Sequence, residues 1–125
     1  MNSNYAGNTN FCWKSKLWLL IHTPIILEHL LTSSTFFSAL VEIVGKGYVF
    51  DKKSDKSKYL TDWPNKITGK ARAVVFPANT EDVSKIMRLC FDNGVPVIPQ
   101  GGNTGLSGAA TPDLSGRAII LSLAR

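Results

Sequence analysis

The sequence is poor in the residues that build self-contained chemistry. Its 125 residues include two histidines, His22 and His29, and two cysteines, Cys12 and Cys90. Two cysteines close at most one bridge, too few for a disulfide-built secreted scaffold, and favour a reducing, cytoplasmic compartment. No cluster of His, Cys, Asp or Glu has metal-ligand spacing, and no nucleophile stands beside a base. We therefore assign no catalytic residue and no metal ligand. A continuous run of about 20 apolar residues, which a membrane span needs, is also missing. The apolar string Leu17-Trp-Leu-Leu-Ile21 is broken by His22, Pro24, Glu28 and His29. Lys14 and Lys16 before it resemble the start of a signal peptide, but Pro24 and Glu28 interrupt the apolar stretch and no small-residue cleavage site follows. Arginine is absent from this stretch, which disfavours a mitochondrial presequence. An amphipathic surface helix or non-native upstream coding sequence is the preferred reading of residues 1–35, with peripheral membrane association the weaker one.

What is present is globular. Apolar residues make up 44% and charged residues 18%, with 10 Gly and 6 Pro, a balance that excludes disordered, collagen-like and coiled-coil chains and leaves room for one small domain. The net charge of +5 is local: residues 46–72 hold eight basic and three acidic residues, and the remaining six of each sign cancel. Such a segment can attract nucleic acid or an anionic membrane. Asp51, Asp55 and Asp62 interrupt it and no recognition motif accompanies it, so nucleic-acid binding is disfavoured.

Three segments follow from pattern: an atypical extension over 1–35, a helix and basic loop over 36–69, and a regular domain part over 70–125. Ser33, Ser34 and Thr35 offer a cap for a helix carrying Phe36, Phe37, Leu40, Val41 and Val44 on one face, ended by Gly45 and Gly47. Residues 48–69 read as a long loop anchored by Tyr59 and Trp63. Ala73-Val-Val-Phe76 reads as a buried strand. Asn79 or Thr80 caps a helix whose Val83, Ile86, Met87 and Cys90 recur at helical spacing, with Asn93-Gly94 as the stop. Val95-Pro-Val-Ile98 resumes a strand, giving a parallel βαβ unit, and its prolines place it at an edge or make it short. Ala118-Ile-Ile-Leu-Ser-Leu123 is a third strand after the turn signal Asp113-Leu-Ser-Gly116.

Between the last two strands lies Pro99-Gln-Gly-Gly-Asn-Thr-Gly-Leu-Ser-Gly108. Open α/β sheets bind ligands outside the carboxyl ends of their strands, and glycines there permit positive φ and close approach, so that backbone N–H groups can form a nest for an anion such as pyrophosphate. The spacing is neither a dinucleotide G-x-G-x-x-G nor a P-loop. By itself the loop is equally an ordinary glycine-rich connection.

The run from Tyr59-Leu-Thr-Asp-Trp63 through Gly69-Lys-Ala-Arg-Ala-Val-Val-Phe-Pro77, Asn79-Thr-Glu-Asp-Val83 and Val95-Pro-Val-Ile-Pro-Gln-Gly-Gly-Asn-Thr-Gly-Leu106 to Leu121-Ser-Leu-Ala-Arg125 resembles FAD-linked oxidases of the vanillyl-alcohol oxidase or p-cresol methylhydroxylase type. Among these it is most similar to the D-2-hydroxyglutarate dehydrogenase, D-lactate dehydrogenase and glycolate oxidase flavin-subunit branch. The resemblance implies an α+β fold, the N-terminal part of an FAD-binding domain. It implies that Gln100, Gly101, Gly102, Asn103, Thr104 and Gly105 wrap the FAD pyrophosphate, with Pro99 and Leu106 shaping the turn. It further implies transfer of a hydride from the α-carbon of a D-2-hydroxy acid to the flavin, and a mitochondrial setting for a eukaryotic source. The family's second half of the FAD domain and its substrate domain have no counterpart here, so the sequence reads as a truncated fragment, inactive alone unless a separate chain completes it. The competing expectation is a non-enzymatic basic module that binds nucleic acid or an anionic membrane surface. Cys90, on an apolar helix face, reads as a core residue, Tyr59 and Trp63 as packing anchors in preference to a flavin stack, and Arg117 and Arg125 as surface residues in preference to phosphate or substrate contacts.

Overall fold

In the computed structural model residues 33–125 are described, and Phe36–Arg125 forms one compact unit. Cys12, His22, His29 and the apolar string lie outside the described residues. Residues 33–44 are helical (α1), so Ser33, Ser34 and Thr35 are part of the helix rather than its cap. Phe36, Leu40 and Val44 form its buried face, and Gly45 closes it at φ 91, its N–H donating to the Val41 carbonyl.

The expected loop over 48–69 has structure of its own. After a 3-10 turn at Lys46–Tyr48 it holds a two-residue strand, β1 (Val49–Phe50), a short helix, α2 (Lys53–Lys56), and a 3-10 turn at Ser57–Tyr59. Tyr59 does anchor it, packing edge-on against Phe76 at 5.4 Å between ring centroids. Trp63 does not: it is 65% exposed. The bend after Trp63 is instead held by Asp62, whose Oδ1 accepts from the N–H groups of Lys66 and Ile67.

The regular part follows the pattern more closely. Strand β2 (Val74–Val75) leads to α3 (Thr80–Asp92), then β3 (Val97–Gln100) and β4 (Ile119–Ser122). Asn79 caps α3 by accepting from the Asp82 N–H, and the Asp82 carboxylate returns a bond to the Ala78 N–H, a reciprocal cap that satisfies two otherwise orphaned donors. Gly94 stops the helix at φ 61. Of the expected apolar stripe, Ile86 and Cys90 are buried while Met87 is largely exposed.

The sheet order is β1-β2-β4-β3, with β1 antiparallel to β2 and both β2 and β3 parallel to β4. The two strands of the expected βαβ unit are therefore not neighbours, because β4 enters between them. Every residue of β4 is buried and it contains no proline, so it can hydrogen-bond on both sides. Pro99 lacks a donor, and β3 takes the edge. One face of the sheet packs Ala73, Val75, Ile119 and Leu121 against Phe36, Leu40, Ile86 and Cys90. The other packs Val74, Phe76 and Ile120 with Phe50, Tyr59, Leu60 and Ile98. This second face fixes the 48–69 segment beside the end of β3, where the glycine-rich loop begins.

Candidate functional site

The loop leaves β3 at Gln100, which is 1% exposed. Its side chain turns into the protein, and Nε2 donates to the carbonyls of Tyr59 and Ala110, both at 3.0 Å. One amide thus ties both ends of the loop to the 48–69 segment. Its Oε1 is buried without a partner, as are Ser122 Oγ, opposite it in register, and Thr111 Oγ1. Asn103 makes the second tether, donating from Nδ2 to the Thr61 carbonyl at 2.8 Å.

Backbone conformation corrects the sequence argument about glycine. The left-handed residue in the centre of the loop is Asn103, at φ 55, and the only glycine of the string with positive φ is Gly108, at φ 71. Gly101 and Gly105 have nothing within 4 Å of where a Cβ would stand, and Gly102 has only the Thr104 methyl at 3.9 Å. What these three glycines provide is clearance, an open face toward solvent over the backbone. Among the described residues no N–H from Gly101 to Ser107 donates a backbone hydrogen bond. Exposed N–H groups over an uncovered backbone can hold an anion's oxygens. Pro99, Thr104 and Leu106 are exposed, Leu106 at 80%.

Gly69 has a stricter role. A methyl group there would collide with the Pro112 carbonyl, and the N–H groups of Gly69 and Lys70 donate to the carbonyls of Leu60 and Asp113. This contact seals the base of the loop.

Beside Asn103 lies a pocket of about 610 Å³ bordered also by Lys58, Thr61, Asp62 and Trp63. The sequence favours Trp63 as a packing anchor over a flavin stack, and its exposure departs from that expectation; the polar company of Thr61 and Asp62 was the other signal of the pocket. Two residues of the basic segment are engaged in the fold: Lys56 Nζ donates to the Ala71 and Arg72 carbonyls, and Arg72 lies over the Phe36 ring. Burial lowers the Lys56 pKa against an opposing pull from Asp51. Arg117 and Arg125 are exposed, as expected, and Arg125 also donates to the carbonyls of Val44 and Phe76 and stacks on Tyr48. No group of metal ligands occurs among the described residues, and none of their helices is long and apolar enough to cross a membrane.

A mixed sheet with a glycine-rich loop at the carboxyl end of a parallel strand, whose amides have no backbone acceptor among the described residues, defines an α+β domain. Residues 71–125 match the family described as FAD binding domain. The fold is that of p-cresol methylhydroxylase, whose solved structure superposes with a TM-score of 0.57 at 21% identity, covering 72% of this chain and 18% of that one. In sequence the chain is similar to the mitochondrial D-2-hydroxyglutarate dehydrogenase of Arabidopsis thaliana, 39% identical over 71 residues, which is 57% of this chain and 13% of the relative. It is also similar to the mitochondrial D-lactate dehydrogenase (cytochrome) 1 of Saccharomyces cerevisiae, 43% identical over 54 residues, 43% of this chain and 9% of the relative. The chain thus spans a small part of the length of the curated relatives it matches.

Proposed function

We propose that this chain contributes the pyrophosphate-binding part of an FAD site that serves oxidation of a D-2-hydroxy acid. The observation that carries the reading is the loop itself. Among the described residues the backbone N–H groups from Gly101 to Ser107 have no backbone acceptor, and Gly101, Gly102 and Gly105 leave the space above them clear. Gln100 and Asn103 hold that surface in place from behind, so the amides are arranged before a ligand arrives and binding spends little on ordering them. A diphosphate accepts such donors readily because charge-assisted hydrogen bonds are the stronger kind. Bound there, FAD supplies a hydride acceptor, while the protein's share is positioning. The substrate class is taken from the relatives, whose names specify D-2-hydroxyglutarate and D-lactate.

The test is a calorimetric titration of the chain with FAD, beside a variant with Gly101→Ala and Gly102→Ala. The two added methyl groups meet open space in the protein and stand where a pyrophosphate would lie. The variant should keep its fold and bind FAD at least about tenfold more weakly, roughly 1.4 kcal/mol. Equal affinity in the two proteins would reject the loop as the binding surface.

A further inference from the structure

Asn93-Gly94, which stops α3, is also the one asparagine–glycine step in the chain. This dipeptide can rearrange without an enzyme. The backbone nitrogen of the glycine, which has no side chain to crowd its approach, attacks the asparagine Cγ. A new N–C bond closes a five-membered succinimide, the Cγ–Nδ2 bond breaks, and Nδ2 leaves as ammonia with the proton the attacking nitrogen gives up. Water then opens the ring, at Cγ to give aspartate or at the main-chain carbonyl to give isoaspartate. No group is oxidised or reduced, and water is the one co-reactant.

In the folded chain each reacting group is held. The Gly94 N–H donates to the Phe91 carbonyl at 3.2 Å and the Val95 N–H to the Cys90 carbonyl at 2.9 Å. These are the paired bonds of a Schellman cap, and Gly94 at φ 61 supplies its left-handed residue. Asn93 Nδ2, the leaving group, donates to the Leu89 carbonyl at 2.8 Å. The Asn93 ψ of 2 eclipses the Gly94 nitrogen with Asn93's own nitrogen, so it is turned away from the side chain it would attack. Both residues are nevertheless exposed, and nothing lies within 4 Å of where a Gly94 Cβ would stand. Rotation into the reactive geometry therefore needs the three bonds to open and meets no packed neighbour. We propose that Asn93 is a deamidation site that the α3 cap holds closed, reacting through local opening of the last helical turn rather than through unfolding of the domain.

The product undoes the cap that restrained it. Aspartate replaces the donor to Leu89 with an anion, at the helix end where the carbonyls already concentrate negative charge and where the last turn carries no basic residue. Isoaspartate adds a methylene to the main chain within the cap. Val95 is buried in the same cluster as Cys90 and precedes β3, the strand from which the glycine-rich loop departs. The modification loosens the join between α3 and that strand.

The experiment incubates the full chain at mildly alkaline pH in a series of low urea concentrations and in fully unfolding urea, with deamidation at each asparagine followed by peptide mass mapping. Under native conditions Asn93 should react ahead of Asn65, Asn79 and Asn103, yet at least about tenfold more slowly than in the unfolded chain. Its rate should stay nearly flat through low urea, because a local opening exposes little surface. Val95→Ala, which trims the apolar side of the cap, should raise the native rate several-fold and leave the unfolded rate unchanged; if that variant does not fold, the wild-type urea series decides. Asn93→Asp should lower the thermal midpoint, and an unchanged midpoint would overturn the effect on the cap. Equal native and unfolded rates would overturn the restraint by the cap, and a rate that climbs with urea in step with global unfolding would overturn local opening. Earlier reaction at another of the three asparagines, or none at Asn93 in the unfolded chain, would overturn the site.

Discussion

Asn103 holds a left-handed backbone conformation at φ 55 and donates to the Thr61 carbonyl, two properties that separate cleanly by substitution. Asn103→Gly removes the tether and accepts the backbone. Asn103→Ala removes the tether and adds the strain of a Cβ at positive φ, of about 1 kcal/mol. In chemical denaturation the alanine variant should therefore be the less stable of the two by about that amount, and equal midpoints would show that the conformation carries no cost. The string around Asn103 was legible as a candidate site through the family resemblance, since by itself a glycine-rich run after a strand is equally an ordinary connection. The inward role of Gln100 was not, since its partners Tyr59 and Ala110 are brought to it only by folding. The same limit hid Trp63: its side chain is apolar enough for a core, and only the packing of Tyr59 into the aromatic cluster with Phe50 and Phe76 left it outside.

Helix α3 is the element whose ends and faces follow most directly from local chemistry. Its cap, first-turn carboxylates and terminal glycine all act within a few residues. Asn79→Ala removes the acceptor for the Asp82 N–H and should cost about 1 kcal/mol of stability, read as a lowered thermal midpoint. Asn79→Ser, which keeps a capping oxygen, should recover most of it. Strand β1 and helix α2 were not legible for the opposite reason. Val49 and Phe50 make a strand only because Val75 and Val74 lie alongside, and the four residues of α2 contribute no buried side chain. Elements this short carry no period of their own, so their existence is a property of the contacts that surround them.

At the scale of the whole molecule the two sheet faces divide the work. The α1 and α3 face is a dry core, and within it burial pushes the Cys90 thiol up to about 11 against a smaller opposing pull from Arg72. The unfolded chain loses that proton near its ordinary value of about 8.5. The folded form is therefore favoured at neutral pH and loses this contribution as pH rises from roughly 9 through about 11. Denaturation midpoints at pH 8 and pH 10.5 should differ more for wild type than for Cys90→Ala, and an equal drop would show that the thiol does not report on the core. The opposite face carries the 48–69 segment and, through Gln100, Asn103 and Gly69, the glycine-rich loop. By itself the sequence determined the parts whose causes are local: the helix over 80–92 with its cap and stop, the three apolar strands, and a glycine-rich turn after the second of them. Only the tertiary structure decided that β4 enters between β2 and β3, that Gly101, Gly102 and Gly105 serve clearance rather than positive φ, and that Trp63 stands at the rim of a pocket. Strand order, open space and exposure depend on residues far apart in the chain, and no local pattern encodes which of them meet.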